Sequence, residues 1–157
     1  VYGPWGRPDM AVYTFTDAIA KGKPIQVAHA GKVWRDFTYV DDIVEGVVRV
    51  LDRRAAPDPD FDPLHPDPAT AQAPHRVYNI GNDHPEELNR LIAIIEAELG
   101  AKADRTDVPL PPGDVLETRA DVTALRRDVG FAPRTSLEDG VARFVAWYRA
   151  YSEGRMN

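Results

Sequence analysis

The sequence contains no cysteine among its 157 residues. This absence excludes disulfides, thiol nucleophiles and thiolate metal sites, and it suits a cytoplasmic protein. No apolar run approaches the roughly 20 residues that a membrane-spanning helix needs, so we expect no membrane partner. The N-terminus has no signal-peptide pattern. It also has no initiating methionine and begins with Val1-Tyr2-Gly3-Pro4. This start predicts that the chain is a piece of a longer protein.

An excess of basic charge is also missing. Nineteen lysines and arginines face 25 acidic residues, which gives a net charge of −6. Such a chain is not attracted to phosphate polymers, and we therefore expect no nucleic-acid partner. The sequence has no Walker loop, no GxSxG turn and no HExxH zinc helix, and we assign no metal site. The pair Asp41-Asp42 offers two carboxylates for a metal, but capping of a helix by Asp42 explains it better.

Alternating periodicities predict an α/β fold with short strands. Helices are expected from Asp9 to Ala20, from Asp42 onward, from Asp83 to Leu99, and after Asp121 and Ser136; short strands are expected at 24–28, 35–40 and 76–80. Asp42 with Glu45, and Asp83 with Glu86, have the spacing of capping boxes. In the second helix, Val47, Val50 and Leu51 form the predicted apolar stripe.

Residues 55–75 interrupt this alternation because they contain six of the fourteen prolines. Proline removes backbone donors and blocks helices, so the segment is predicted to be a surface loop or insertion. Docking as a proline-rich ligand is the alternative, but the segment lacks a PxxP core flanked by basic residues. Its histidines, His65 and His75, are interpreted as solvated.

Three loops rich in glycine or proline carry candidate binding residues. They span residues 2–8, 31–37 and 109–114 and present Arg7, Arg35 and Asp114. Ligand-binding residues concentrate on loops held by rigid elements, and an arginine in such a loop suits a phosphate or a carboxylate. The alternative is that these are ordinary turns and that Arg35 pairs with Asp36 on a surface hairpin.

Four stretches carry a family resemblance. They are Val1-Tyr2-Gly3-Pro4-Trp5-Gly6-Arg7-Pro8-Asp9-Met10, Arg35-Asp36-Phe37-Thr38-Tyr39-Val40-Asp41-Asp42, Tyr78-Asn79-Ile80-Gly81 and Pro112-Gly113-Asp114. Together they resemble the extended short-chain dehydrogenase/reductase family of NAD-dependent epimerases and dehydratases. The stretch from Trp5 to Met10 is the narrower signal, and it is most similar to UDP-glucuronate 4-epimerases.

The resemblance implies a two-lobed enzyme in which a Rossmann lobe holds NAD and a smaller C-terminal lobe binds the UDP-sugar. Residues 1–157 would be that C-terminal, mostly helical part of the Rossmann-type fold, with residues 78–81 returning to the parent sheet. Family members transfer the C4 hydride of the sugar to NAD and back through a 4-keto intermediate. They often form homodimers, and the expected partner here is UDP-glucuronate or UDP-galacturonate.

The motifs for that chemistry are missing from this chain. No glycine triplet has the GxGxxG or GxxGxxG spacing, and no tyrosine is followed four residues later by lysine. We therefore assign no catalytic residue and expect the chain to be inactive alone. The alternatives are part of a UDP-glucuronate decarboxylase or UDP-galactose 4-epimerase, or a free-standing module for nucleotide-sugar binding or interaction.

The resemblance also implies roles for matching residues. Arg35 would contact the diphosphate of the UDP-sugar, and Asp114 would lie near the ribose. Gln26 and Val27 would flank the uracil. Arg7 would meet the sugar carboxylate or the diphosphate, with Lys32 adding positive charge. Pro111 departs from the pattern, because some relatives have a second diphosphate-binding arginine near this position.

Overall fold

The computed structural model describes residues 1–154. Helices α1 (Ala11–Ala20), α2 (Val40–Leu51), α3 (Leu88–Leu99), α4 (Thr123–Val129) and α5 (Leu137–Ser152) are connected through strands β1 (Ile25–Ala28), β2 (Trp34–Arg35), β3 (Glu86–Glu87) and β4 (Arg105–Val108). A short 3₁₀ turn, His29–Gly31, follows β1. This arrangement confirms the predicted α/β class, mostly helical with short strands. None of the helices described is long and apolar enough to cross a bilayer.

The main core lies between α1, α3 and α5. Its buried side chains include Val12 and Ile19 of α1, Leu91, Ile92 and Ile95 of α3, and Val141, Phe144 and Val145 of α5. A smaller apolar cluster contains Val122, Leu125 and Phe131. The 3.6-residue spacing of these side chains is what predicted α3 and α5. Gly100 ends α3 in the left-handed conformation, as its position in the sequence indicated.

Two small sheets position the loops between the helices. Strand β1 pairs in parallel with β4, so that Ile25 lies opposite Arg105 and Ala28 opposite Val108. Within β1, Ile25 and Val27 are buried and Gln26 is exposed, which confirms the predicted alternation. Strands β2 and β3 pair in antiparallel fashion, with Arg35 opposite Glu86. The second pairing brings the start of α3 next to the segment that carries Arg35.

The predicted aspartate caps are wrong, although their helices form. Helices α1, α2 and α3 have Met10, Tyr39 and Glu87 at their N-caps, without a side-chain hydrogen bond. The three aspartates instead bind elsewhere: Asp9 pairs with Arg7, Asp42 accepts the Thr135 amide at 3.0 Å, and Asp83 pairs with Arg119. By contrast, Ser136 does cap α5 and accepts the Asp139 amide at 3.1 Å. For Asp42 and Asp83, partners far along the chain replace the local cap, whereas Asp9 binds Arg7 two residues away.

The apolar stripe of α2 is exposed on much of its length. Val47 and Leu51 are 53% and 79% exposed, and Val50 is half-buried. Gly46, one turn before Val50, lies on the packed side of the helix, against Ile80 and Phe131. Residues 76–80 do not form the predicted strand; in the described part of the chain their β-pairing is limited to one isolated antiparallel bridge between Arg76 and Thr70. Because Val47 and Leu51 are exposed, α2 presents valine and leucine side chains to solvent.

The proline-rich segment at 55–75 has neither helix nor strand. Aspartate side chains close three tight turns within it: Asp58, Asp62 and Asp67 accept the amides of the residues two positions on, at 3.0, 2.8 and 2.8 Å. Asp62 also pairs with His65 at 2.9 Å. These local bonds compete with regular secondary structure, which explains why the segment stays a succession of turns.

Candidate nucleotide-sugar site

A cavity of about 370 Å³ lies where the loops around β2 meet the first turns of α1 and α3. Most of its wall is apolar. Its lining residues are Val1, Tyr2, Met10, Ala11, Val12, Ala28, Val33, Arg35, Asp36, Phe37, Leu88, Asp114 and Thr118. This size and mixture, an apolar wall with few polar groups, are typical of small-molecule sites. All three candidate loops, at residues 2–8, 31–37 and 109–114, therefore contribute residues to this one cavity.

Arg35 and Asp114 form the charged pair of this cavity. Arg35 Nη2 donates to Asp114 Oδ1 at 2.8 Å, and Arg35 Nη1 donates to the Trp34 carbonyl at 2.9 Å. Their side chains are 24% and 39% exposed. The structure thus brings together two predicted residues that are 79 positions apart in sequence. It contradicts the alternative in which Arg35 pairs with Asp36.

The loop that carries Asp114 is attached to β2 through its backbone. The Trp34 amide donates to the Leu116 carbonyl at 2.8 Å, and the Thr118 amide donates to the Trp34 carbonyl at 3.2 Å. The Pro-Gly-Asp turn itself closes when the Asp114 amide donates to the Pro111 carbonyl at 3.1 Å. Gly113 has φ +84°, a conformation that favours glycine. These bonds fix the Asp114 carboxylate beside the Arg35 guanidinium.

Asp36 is a functional candidate that sequence reasoning missed. Its Oδ2 accepts the amides of Asp83 at 3.1 Å and Ala120 at 2.9 Å. Its own amide donates to Thr118 Oγ1 at 3.3 Å. Asp36 therefore joins three segments at the cavity: its own, the turn after residue 80 and the loop after Asp114. The sequence signal for Asp36 was its position next to Arg35 in the motif. Its two backbone hydrogen-bond donors, however, lie 47 and 84 residues away along the chain.

Gln26, Val27 and Lys32 do not line the cavity, although their neighbours Ala28 and Val33 do. Val27 is fully buried in the core, while Gln26 and Lys32 are exposed. Gln26 and Lys32 belong to segments at the edge of the cavity, and the structure places neither side chain in it.

Arg7 lies apart from Arg35 and is paired with its own loop. Its Nε donates to Asp9 Oδ1 at 3.1 Å and its Nη2 to Asp9 Oδ2 at 2.5 Å. The hydrogen bonds from Arg7 lower the pKa of the Asp9 carboxyl below its ordinary value. The Arg7 side chain is 75% exposed and is absent from the cavity lining. The Asp9 carboxylate occupies Nε and one donor of Nη2, which leaves the other N–H donors of the guanidinium for a ligand.

Sequence comparison defines the class of protein. Residues 1–81 match the NAD dependent epimerase/dehydratase family. The chain belongs to this family, as the sequence motifs predicted. NAD is therefore the cofactor of its class.

Comparison with individual proteins shows which members of the family this chain is similar to. The chain is 48% identical over 151 residues to Protein CapI of Staphylococcus aureus, covering 96% of this chain and 45% of that protein. It is 44% identical over 154 residues to a probable UDP-glucuronate 4-epimerase of Rhizobium meliloti (strain 1021), covering 94% and 44%. The UDP-glucuronic acid 4-epimerase of Bacillus cereus, solved with UDP-glucuronic acid and NAD, superposes with a TM-score of 0.79 at 26% identity, covering 96% and 43%.

The chain spans less than half the length of these relatives. Its Rossmann-type neighbours are matched over about 44% of their residues. The sequence has no GxGxxG or GxxGxxG spacing, which is the loop through which a backbone approaches the pyrophosphate of a dinucleotide.

Proposed function

We propose that this chain is the C-terminal UDP-sugar-binding portion of an NAD-dependent UDP-glucuronate 4-epimerase and is not catalytic alone. The observation that carries the proposal is the Arg35–Asp114 pair, 2.8 Å apart, in a largely apolar cavity of about 370 Å³. The similarity to UDP-glucuronate 4-epimerases over 94% of the chain supports the choice of substrate class.

The composition of the cavity suits the two ends of a UDP group. The apolar wall, which includes Val12, Val33 and Leu88, suits the face of a uracil ring. The diphosphate requires a cation, and Arg35 presents a planar guanidinium that can donate two parallel hydrogen bonds to phosphate oxygens. On binding, a phosphate oxygen would take the place of Asp114 at one of these donors. The released carboxylate would then accept from ribose hydroxyls.

The remaining predicted residues have secondary roles in this proposal. Lys32 is exposed, and its side chain has no ion-pair partner among residues 1–154, so it is available to the diphosphate. Arg7 would exchange Asp9 for the sugar carboxylate or the diphosphate. Gln26 and Val27 would contact the uracil edge through the backbone of β1. These assignments extend the Arg35–Asp114 proposal and do not carry it.

The chain supplies binding and orientation rather than the chemical step. When NAD is bound in the parent enzyme, it provides the hydride acceptor for C4 of the sugar. The tyrosine–lysine pair and the glycine-rich loop that this step needs are absent from this sequence. Residues of this cavity would hold the UDP group while the sugar itself extends toward the other lobe.

The test of the proposal is Arg35→Ala, measured by calorimetric titration of the chain with UDP. Loss of a charge-assisted hydrogen bond costs about 1.5–3 kcal/mol, which corresponds to a roughly 10- to 150-fold weaker Kd. The matched control is Arg54→Ala, since Arg54 is an exposed arginine that does not line the cavity. The control should bind UDP as the unmodified chain does. Absence of UDP binding by the unmodified chain, or equal affinity in Arg35→Ala, would contradict the proposal.

A further inference from the structure

The turn after β1 has an unusual backbone. His29 and Ala30 each have φ +50°, and Gly31 follows with φ +77°. Residues other than glycine rarely adopt this left-handed backbone conformation. Two such residues in succession persist in it only when the surrounding structure holds them. The residues on either side of the turn region, Ala28 and Val33, line the cavity. The turn therefore lies at the edge of the candidate site, next to its apolar wall.

One side chain from α3 holds the middle of this turn. Asn89 Nδ2 donates to the Ala30 carbonyl at 3.1 Å and to Glu87 Oε1 at 3.0 Å. Asn89 Oδ1 accepts from Arg105 Nη2 on β4 at 2.7 Å. The side-chain carboxamide of Asn89, a half-buried residue, thus connects the turn, the start of α3 and β4 through three hydrogen bonds.

Packing adds to these hydrogen bonds. A methyl group on Gly31 would overlap the carboxamide of Asn89, so the glycine and the asparagine are in direct contact. Leu88, the residue before Asn89 in α3, holds the chain just after the turn, because its amide donates to the Val33 carbonyl at 2.9 Å. Leu88 also lines the cavity. The first turn of α3 therefore fixes both the left-handed turn and the apolar wall beside it.

We propose that Asn89 is a positioning residue for nucleotide binding, which holds residues 29–31 and thereby keeps the flanking residues Ala28 and Val33 in the apolar wall that meets the base of the bound UDP group. This inference rests on the proposed function. Asn89 does not line the cavity and acts through the Ala30 carbonyl and Gly31. Its effect should therefore fall on the base, which meets the apolar wall, and not on the diphosphate, which meets Arg35.

The experiment is Asn89→Leu, which keeps the branched shape of the side chain and removes its hydrogen bonds. The chain is titrated with UDP and, separately, with inorganic diphosphate. We expect an about tenfold weaker Kd for UDP, the size of one lost hydrogen bond, and an unchanged Kd for diphosphate. Amide hydrogen exchange at Lys32, whose amide donates to the His29 carbonyl at 2.9 Å, should become faster.

Two further variants keep the test decisive. Asn89→Asp retains the acceptor for Arg105 but cannot donate to Ala30, and it should show the same selective loss if Asn89→Leu fails to fold. Gln72→Leu makes the matched amide-to-apolar change on the exposed proline-rich segment and should alter neither Kd.

The remaining outcomes separate the inference from the proposed function. Equal weakening of UDP and diphosphate would overturn the inference, and so would a lower Tm with both affinities unchanged, which would make Asn89 purely structural. Failure of the unmodified chain to bind UDP would overturn the proposed function itself. An Arg35-dependent UDP affinity that is insensitive to Asn89 would reject only the inference.

Discussion

At the scale of single residues, aspartates of this chain connect distant segments. Asp36 accepts two backbone amides from loops far along the chain, and Asp42 accepts the amide of Thr135, 93 residues away. Asp42 is buried and Asp36 is partly buried, and a polar group removed from water destabilises the fold unless it finds hydrogen-bond partners. The local pattern predicted that Asp42 caps a helix, because the sequence does not show that folding brings the Thr135 amide to this carboxylate.

Asp128 is the aspartate with the most strongly perturbed ionisation. It accepts hydrogen bonds from Arg127 Nε at 2.7 Å and from the Tyr78 hydroxyl and Arg76 Nε, both at 3.2 Å. The hydrogen bond from Arg127 is the largest cause that lowers its pKa, to about 2, and Tyr78 and Arg76 add to it. The side chain is 16% exposed. This carboxylate joins α4 to the segment that follows the proline-rich turns.

The lowered pKa predicts a pH-dependent contribution to stability. The unfolded carboxyl has a pKa of about 3.9, so the charged form stabilises the fold fully above about pH 4 and progressively less as the pH falls toward 2. We expect Asp128→Asn to lower the free energy of unfolding by about 2 kcal/mol at pH 7. Urea unfolding at pH 7 and pH 2.5 should show this difference shrinking. Asp60→Asn, on the exposed segment, is the control. An equal loss at both pH values would refute the assignment.

At the scale of elements, α2 differs from the other helices in what it buries. Its Val44, Val47, Val48 and Leu51 are between 48% and 79% exposed. Helix α5 instead buries Val141 and Val145 completely or almost so. An exposed apolar face of this kind is typical of a surface that another element covers. Within the proposed function, the dinucleotide-binding lobe is the element that would cover it.

A pair of matched substitutions measures this difference. Val47→Ala should change the free energy of unfolding by less than about 0.5 kcal/mol, because its side chain is 53% exposed. Val141→Ala should cost about 2 kcal/mol, because it removes fully buried methyl groups and leaves a cavity. Chemical denaturation of both variants at low protein concentration makes the comparison. A large loss in Val47→Ala would show that α2 is already covered, for example by a second copy of the chain.

At the scale of the whole molecule, the chain has a largely apolar cavity that contains the Arg35–Asp114 pair, but its sequence lacks the motifs of hydride transfer. The cavity draws its wall from α1, β1, β2, α3 and the loop after β4. The sequence has no Tyr-x-x-x-Lys motif and no glycine-rich dinucleotide loop. Within the proposed function, binding of the nucleotide-sugar is therefore separate from catalysis, and the cavity of this chain would serve binding alone.

The separation predicts that the chain has no epimerase activity. Purified chain supplied with NAD and UDP-glucuronate should produce no more UDP-galacturonate than a protein-free reaction, because the sequence lacks the tyrosine–lysine pair that takes the proton of the 4-hydroxyl group and the glycine-rich loop that holds the cofactor. Product formation is followed by chromatography of the nucleotide-sugars. The same preparation must bind UDP by calorimetry, which shows that the chain is folded. Turnover above the protein-free reaction would disprove the separation.

The sequence by itself was sufficient for the family, the α/β class and most of the elements. Helices α3 and α5 follow from apolar side chains at helical spacing, and β1 follows from the alternation of Ile25, Gln26 and Val27. Arg35 and Asp114 were identified as candidates from motifs in loops, which local residue types define. These features depend on neighbours within a few positions, and a linear pattern records such neighbours directly.

Only the tertiary structure decided which residues meet. It paired Arg35 with Asp114 across 79 positions, moved Asp42 from a helix cap to a contact with Thr135, and placed Asn89 against Gly31. It also left the α2 stripe exposed, since hydrophobic spacing shows that a helix has an apolar face but not what packs on that face. The partner of a polar or apolar group is set by how distant segments pack, and local sequence does not contain that information.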